Sequence, residues 1–167
     1  MAELTQKERL QPSLLDRLTD DARDQQIESR DKRVLSPARL RECVRRDLTW
    51  LFNTTHLASV QPLRDYPAVA SSVLNYGVQE LTGLPLSSVD THGLERMLTQ
   101  VIANYEPRLL RKSVRVRLIV DKDKMAHNAV IFEIEAELWA QPLPLRLFLR
   151  TEIDLENGTV AVAEGHG

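Results

Sequence analysis

The chain has 167 residues, of which 43% are hydrophobic and 28% charged, and its formal net charge is −2. This length predicts one domain with a sizeable core, and the nearly balanced charge disfavours a dedicated nucleic-acid-binding protein. The polar N-terminus lacks the apolar stretch of a signal peptide, and no apolar run approaches the roughly 20 residues that a membrane-spanning helix needs. A single cysteine excludes an internal disulfide. We therefore expect a soluble, cytoplasmic protein without direct membrane insertion.

The N-terminal part of the chain is polar apart from one leucine cluster. That cluster directly follows Ser13, which predicts a short helix over residues 13–19 with this serine as its N-cap. The rest of residues 1–35 has few apolar side chains, so we expect a mobile segment whose helix docks on a partner or loosely on the core. Residues 36–163 are expected to form a single α+β domain, and residues 164–167 a tail.

A longer amphipathic helix is predicted next. Ser36 offers an N-cap and Pro37 occupies the first helical position, where its missing N–H costs nothing. Cys43 falls on the apolar face, so we expect a buried filler there and not a nucleophile. That face repeats at spacings of three and four: Leu40, Cys43, Val44, Leu48 and Leu51.

Two more helices are expected before any strand. The first begins at Pro67 and ends at Gly77, which accepts the left-handed conformation, with Val69, Val73 and Leu74 as its apolar residues. The second begins at Ser87 or Ser88 and ends before Pro107, which cannot continue a helix.

After Arg111 the hydrophobic period changes from helical spacing to strict alternation, which predicts antiparallel strands with one buried face each. KDKMAHN and QPLP supply the first two turns, and Asn157-Gly158 leads to a short fourth strand, TVAVA. The expected fold class is therefore α+β, with N-terminal helices packed on a C-terminal antiparallel meander of three to four strands. The predicted buried residues are Val114, Val116, Leu118 and Val120; Phe132, Ile134, Ala136 and Leu138; Leu145, Leu147, Leu149, Ile153 and Leu155.

Three alternating carboxylates, Glu133, Glu135 and Glu137, raise the alternative of a glycoside hydrolase. The strand rise places neighbours roughly 6.5–7 Å apart, a separation that does not exclude glycoside hydrolysis. A general acid, however, must hold its proton, and arginines on the same face favour the ionised form. We therefore prefer a cross-strand charge ladder on a solvated or partner-covered face, and we expect no enzymatic activity. The arginines in question are Arg115, Arg117, Arg146 and Arg150.

Other chemistry finds little support in the sequence. The four histidines, His56, His92, His127 and His166, lie apart without a metal-binding or catalytic spacing, and we interpret them as surface residues. The glycines do not form a phosphate-binding loop, so no cofactor is expected.

Charge is unevenly distributed along the chain. Residues 106–117 carry five bases against one acid, whereas residues 130–167 carry seven acids against two arginines. This distribution predicts a dipolar surface with a basic corner followed by an acidic sheet.

The tripeptide Glu106-Pro107-Arg108 is the most informative local feature. Glu106 would stand at the C-terminal end of a helix, where an acid is unfavourable unless a cation compensates. Arg108 or an arginine of a partner protein could supply that cation, and an incidental ion pair beside a proline stop is the alternative.

Large apolar residues also fall on the polar face of the predicted sheet, namely Ile119, Trp139 and Phe148. Either a helix of this chain or another protein must cover them.

Three segments together resemble the TssE family of type VI secretion baseplate subunits. They are RDLTWLFNT at 46–54, DYPAVASSVLNYG at 65–77 and NYEPRLL at 104–110, and the similarity extends over roughly residues 12–162. This family is related to a wedge protein of contractile-tail phages that was long labelled lysozyme-like. A lysozyme-like peptidoglycan hydrolase and a phage or phage-like tail wedge component are therefore the alternatives that the resemblance leaves open.

The resemblance implies a structural protein of the baseplate wedge at the cytoplasmic face of the inner membrane. Its implied partners are the baseplate subunits TssF and TssG and the sheath subunits TssB and TssC, and its implied role is to start sheath polymerisation around the inner tube. The family signature maps onto Glu106, Pro107 and Arg108, which we predict to bind partners together with Trp139 and Phe148. The family also suggests that the C-terminal strands pair edge to edge with the sheath.

Overall fold

The computed structural model describes residues 13–19, 36–80, 82, 90–119, 129–139 and 144–165. Helices precede a four-stranded antiparallel sheet of order β1-β2-β3-β4, which confirms the α+β prediction. The helices are α1 (Leu14–Leu18), α2 (Pro37–Phe52), α3 (Pro67–Ala70) and α4 (Thr91–Tyr105), with 3₁₀ turns at Leu57–Ser59 and Val73–Asn75. The strands are β1 (Arg115–Ile119), β2 (Ala129–Leu138), β3 (Leu145–Asp154) and β4 (Val160–Glu164).

Side-chain caps start the helices where the sequence has a suitable residue. Ser13 accepts from Asp16 N–H at the start of α1, and Ser36 accepts from Arg39 N–H at the start of α2. The fourth helix differs from the prediction, because it begins only at Thr91, where Asp90 serves as the N-cap. The starts predicted at Ser87 or Ser88 lie outside the described residues.

The core lies between the helices and one face of the sheet. Every described strand residue predicted to face inward is buried or partly buried, and Thr151 occupies the single polar position in that row. Cys43 is buried on α2, as expected of an apolar filler. On the helix side the core contains Leu40, Val44, Leu48, Leu51, Phe52, Leu94, Leu98 and Ile102.

The helix predicted over 67–77 is wrong in its extent and in its apolar face. α3 ends at Ala70, and Val73 and Leu74 lie exposed in a 3₁₀ turn. Gly77 has the expected positive φ, +123°, but for a different reason. An added Cβ would lie 2.3 Å from the carbonyl oxygen of Thr54, because Val78 pairs with the segment that follows α2. Close backbone approach therefore requires glycine here.

The outer face of the sheet mixes charges that the linear sequence separates. Arg117 pairs with Glu133, and Glu133 pairs with Arg150 across the next strand. Glu137 pairs in the same way with Arg146. The register thus confirms a cross-strand ladder, and the predicted separation into a basic corner and an acidic sheet does not hold on this face.

Several predictions fall outside the described residues. These are the mobile segment before residue 36 apart from α1, the KDKMAHN turn, the first three residues of QPLP, and the positions of Val120, His127 and His166. Among the helices that the structure describes, none combines the length and apolar character needed to cross a membrane.

Candidate functional site

The corner between α4 and the sheet is built around a buried glutamate. Glu106 is the C-cap of α4 and is only 3% exposed. Its carboxylate accepts from Arg108 Nε at 2.7 Å, from Arg108 Nη2 at 2.5 Å and from the Arg108 backbone N–H at 3.1 Å. Arg108 is therefore the cation that makes an acid tolerable at this helix end.

A chain of ion pairs continues from this corner across two helices. Arg108 Nη2 lies 2.5 Å from Asp47 Oδ2, and Arg46 Nη2 lies 2.8 Å from Asp47 Oδ1. Arg46 Nη1 then reaches Asp16 Oδ1 of α1 at 2.8 Å. Glu106, Arg108, Asp47, Arg46 and Asp16 thus alternate in charge and join the corner to α2 and α1.

Burial and charge act against each other on the members of this chain. Burial alone would lower the pKa of Arg108, but the hydrogen bonds and charges of Glu106 and Asp47 outweigh it and raise this pKa above its usual value. Burial would raise the pKa of Asp16, yet hydrogen bonds from Ser13 and Arg46 hold it below its usual value. Arg108 and Asp16 are therefore charged at neutral pH, as the geometry requires.

Two tyrosines attach the 65–77 segment to the same corner. The rings of Tyr76 and Tyr105 meet edge to face with their centroids 5.3 Å apart. Tyr105 Oη donates to the carbonyls of Ser72 and Asn75 at 3.1 and 2.7 Å. Burial raises the pKa of both tyrosines, in Tyr76 with help from Asp47 and Glu106.

These contacts surround an open groove of about 560 Å³. Trp50 stands on one wall with 49% of its surface exposed, and the guanidinium carbon of Arg46 lies 4.9 Å from its ring centroid. Leu14 and Leu15 of α1 supply exposed apolar surface on another wall. The groove is lined by Ser13, Leu14, Leu15, Asp47, Leu48, Trp50, Leu51, Tyr76, Tyr105, Glu106, Pro107 and Arg108.

Of the other two predicted partner-binding residues, Phe148 lies on β3 and Trp139 directly follows β2. Trp139 is 50% exposed, and its backbone N–H donates to the Arg108 carbonyl at 2.7 Å, so the main chain joins it to the corner. Phe148 pairs with Glu135 of β2, four residues before Trp139 in the chain, and is only partly exposed. Gly165 lies against its ring, because an added Cβ would come within 2.4 Å of Phe148 Cδ1. Gly165 thus covers part of the apolar ring that the sequence predicted to need a cover.

The described histidines have structural partners. His56 caps the turn at Leu57–Ser59 by accepting from Ser59 N–H, and His92 lies 3.2 Å from Glu95. Within the described ranges, no cluster of three or more His, Cys, Asp or Glu side chains could hold a metal ion.

Sequence reasoning missed the acid that anchors Arg108. Asp47 stands 61 residues upstream on α2, and no local pattern in the sequence links it to Arg108. Only the resemblance had marked RDLTWLFNT, which contains Arg46, Asp47 and Trp50. The structure brings this segment together with the other two motifs, through Tyr76 of one and through Tyr105, Glu106 and Arg108 of the other.

The groove and its ion-pair chain have the character of a protein-docking surface, with exposed aromatic and apolar groups beside a rigid charged corner. The chain matches the family described as baseplate wedge protein gp25 over residues 38–143, and it belongs to that family. This family includes TssE, so the chain is a component of a phage-tail-like baseplate and interacts with other baseplate components. No curated protein and no solved structure matches the chain significantly.

Proposed function

We propose that this chain is the baseplate wedge subunit of a type VI secretion system and helps to start sheath polymerisation around the inner tube. The observation that carries the proposal is the groove, because the three segments that resemble TssE converge on it from different parts of the chain. The subunit works at the cytoplasmic face of the inner membrane and binds TssF and TssG, while TssB and TssC assemble on it.

The groove suits protein binding more than ligand binding. Trp50 offers a large exposed ring, and aromatic residues are enriched where interfaces gain most of their free energy. The buried pairs of Arg108 hold the corner in one arrangement before a partner arrives, which lowers the ordering cost of association.

The proposed role is structural and not enzymatic. Glu133 faces arginines on both neighbouring strands, Glu135 pairs with Arg115, and Glu137 pairs with Arg146. The three carboxylates thus form a cross-strand charge ladder on the outer face of the sheet, whereas the general acid of a hydrolase needs an enclosed site. Purified protein should release no more peptidoglycan fragments than a variant with all three glutamates replaced by glutamine. Release that depends on these glutamates would support the hydrolase alternative instead.

The decisive test removes the groove's aromatic wall and leaves every residue of the ion-pair chain in place. Trp50→Ser should leave the fold intact, weaken binding of a purified TssF–TssG complex by at least about tenfold, as expected for a buried aromatic anchor, and prevent sheath assembly in cells. Tyr66→Ser is the matched control, because Tyr66 is a similarly exposed aromatic residue outside the groove lining. Normal sheaths and normal binding in a folded Trp50→Ser protein would refute the assignment.

A second variant, Trp139→Ser, tests the other exposed tryptophan, which is predicted to bind a partner independently of the groove. Trp139 and Trp50 are almost equally exposed, so the two variants remove similar surface, in one case within the groove lining and in the other outside it. Loss of TssF–TssG binding in Trp50→Ser together with loss of sheath assembly alone in Trp139→Ser would assign the two faces to different partners.

The phage-tail alternative shares this fold and this groove. Genes for TssF, TssG and a type VI sheath beside the gene for this chain would favour the secretion system, whereas tail genes would favour the phage.

A further inference from the structure

The first helix, α1, is attached to α2 by its acid and exposes its leucines. The Asp16 side chain is only 7% exposed, and its carboxylate pairs with Arg46 Nη1 at 2.8 Å and accepts from the Cys43 thiol. The leucines of the same helix are largely exposed: Leu14 by 71%, Leu15 by 46% and Leu18 by 73%. Soluble proteins usually bury leucine and expose acid, so α1 lies on α2 in an inverted orientation.

A helix attached in this way is held weakly. α1 contains five residues, and so short a helix depends on tertiary contacts for its stability. Its exposed leucines add little to such contacts, because apolar side chains stabilise a structure only when they leave water. The Asp16–Arg46 pair therefore carries much of the attachment, and any cover over the leucines would strengthen it.

Two of the three leucines belong to the groove. Leu14 and Leu15 line the same open space as Trp50, whereas Leu18 lies outside the lining. The groove thus has an aromatic wall on α2 and an aliphatic wall on α1. An apolar segment that entered it would cover both walls together.

Arg46 connects these two walls. Its Nη1 pairs with Asp16 of α1, its Nη2 pairs with Asp47 of α2, and its guanidinium carbon lies 4.9 Å from the centroid of Trp50. Docking of α1 therefore restrains the cation that stacks on the tryptophan ring. The charged side chains of the groove pair with one another along the ion-pair chain, so the surface offered to a partner is chiefly apolar.

We propose that α1 is a movable wall of the groove: the Asp16–Arg46 pair latches it onto α2, and it closes on an apolar segment of the wedge complex held between its leucines and Trp50. The proposal rests on the proposed binding of TssF–TssG in this groove, and it adds how the groove closes and what chemistry it grips. Binding covers Leu14 and Leu15 and so stabilises the docked helix, and the docked helix adds its apolar surface to the interface. Asp16 is a positioning residue, because it acts through Arg46.

Cys43 reports on the position of α1. It is the single cysteine of the chain, it is 2% exposed, and its thiol donates to Asp16, so detachment of α1 uncovers it on that side. Burial and the Asp16 carboxylate also raise the pKa of this thiol, which keeps it in its less reactive protonated form while α1 is docked.

The first test measures maleimide labelling of Cys43 in the full chain by mass spectrometry. A saturating TssF–TssG complex should slow this labelling at least about tenfold, as expected when burial of one leucine holds the helix closed. Unchanged labelling would show that binding does not close α1, and faster labelling would show that the partner displaces it. Either result would overturn the proposal.

Leu14→Ser and Leu18→Ser form a matched pair. The two leucines are almost equally exposed on the same helix, but only Leu14 lines the groove, so both substitutions cost the helix a similar amount. Leu14→Ser should weaken binding of TssF–TssG at least about tenfold, as expected for a leucine that the partner buries. Leu18→Ser should leave binding unchanged. Equal affinities of the two variants would refute the aliphatic wall.

Asp16→Asn tests the latch. The amide keeps the shape of the side chain and loses its charge, so TssF–TssG binding should weaken about tenfold, as expected for the loss of a hydrogen bond to a charged group. In a Leu14→Ser chain the same substitution should weaken binding by less than about twofold, because latching a wall that no longer grips gains nothing. Fully additive effects of the two substitutions would contradict the coupling, since a merely structural role of Asp16 predicts them.

The outcomes separate this inference from the proposed function. If Trp50→Ser abolishes TssF–TssG binding while Leu14→Ser binds normally, the groove is the binding site and α1 is not its wall. If Trp50→Ser binds normally, the assignment of the groove itself is refuted.

Discussion

Replacing Arg108 by methionine should destabilise the protein through the glutamate that it leaves behind. The long methionine side chain preserves most of the packing of the arginine stem, so the substitution chiefly removes charge and hydrogen bonds. Glu106 would keep one hydrogen bond, from the backbone N–H of residue 108, and would lose those from Nε and Nη2. A carboxylate that is 3% exposed would then be almost without compensation.

The magnitude follows from the burial of the three partners. Breaking a buried ion pair by removing one member costs about 3–5 kcal/mol. The lower end, about 3 kcal/mol, applies here because the Arg108 side chain is 21% exposed and Asp47 keeps its bond to Arg46. For a domain of this size, that loss lowers Tm by about 6–12 °C.

A double-mutant cycle, in which circular dichroism follows urea unfolding, measures how much stability is lost and whether the unpaired Glu106 causes the loss. Glu106→Leu together with Arg108→Met removes both charges, and an apolar replacement of a buried pair is often close to neutral. The double variant should therefore be more stable than Arg108→Met alone, with a coupling free energy of about 2 kcal/mol between the two sites.

Arg111→Met is the matched control. Arg111 lies three residues further on and is exposed, and among the described residues it bonds the Ala103 carbonyl and the Asn104 side chain. Its replacement should therefore change stability by less than about 0.5 kcal/mol. A loss below about 1 kcal/mol in Arg108→Met, with negligible coupling to Glu106, would refute the view that Arg108 compensates a buried acid.

Three further predictions concern backbone and helix attachment. Gly77→Ala should cost more than about 2 kcal/mol in urea unfolding, because of its positive φ and the contact with Thr54, and a smaller loss would mean that the two segments separate easily. Asn53→Ala should cost about 1–2 kcal/mol and accelerate hydrogen exchange of the Val160 amide, because the Asn53 side chain bonds both backbone groups of Val160 at the β4 edge of the sheet. Unchanged exchange would show that the Asn53 side chain does not cap the β4 edge. Because the folded-state pKa of Asp16 is lowered, its contribution is present above about pH 4 and is lost as the pH falls further. NMR shifts should therefore show α1 detaching in acid, and Asp16→Asn should detach it already at pH 7; a variant with α1 still docked contradicts this.

The corner explains why the three motifs belong together. Arg46, Asp47 and Trp50 come from α2, Tyr76 from the turn after α3, and Tyr105 from the end of α4. Each contributes to one groove, so a change in any of them alters the same surface. Two residues of the signature tripeptide stabilise the corner from within, because Glu106 and most of the donors of Arg108 are used in internal bonds. Pro107, in contrast, is exposed.

Local patterns were sufficient wherever a structural choice depends on near neighbours. Ser13 and Ser36 cap helices because the cap and the amides that it satisfies lie within three residues. Alternation placed Phe132, Ile134 and Leu149 in the core because neighbouring strand residues must face opposite ways. The segment after Pro67 shows where local patterns fail. The observed helix ends at Ala70 after four residues and leaves Val73 exposed, because so short a helix depends on tertiary packing that this segment lacks.

The amino-acid sequence by itself determined the α+β class, the inward face of the strands, the end of α4 before Pro107 and the unusual position of Glu106. Only the tertiary structure decided that Asp47 shares Arg108 with Glu106, that Gly77 is required by a neighbouring backbone, and that Asn53 closes one edge of the sheet. The physical reason is the separation along the chain between the residues that interact. Caps, alternation and helix ends depend on bonds between near neighbours, whereas ion pairs and edge caps join residues that only packing brings together.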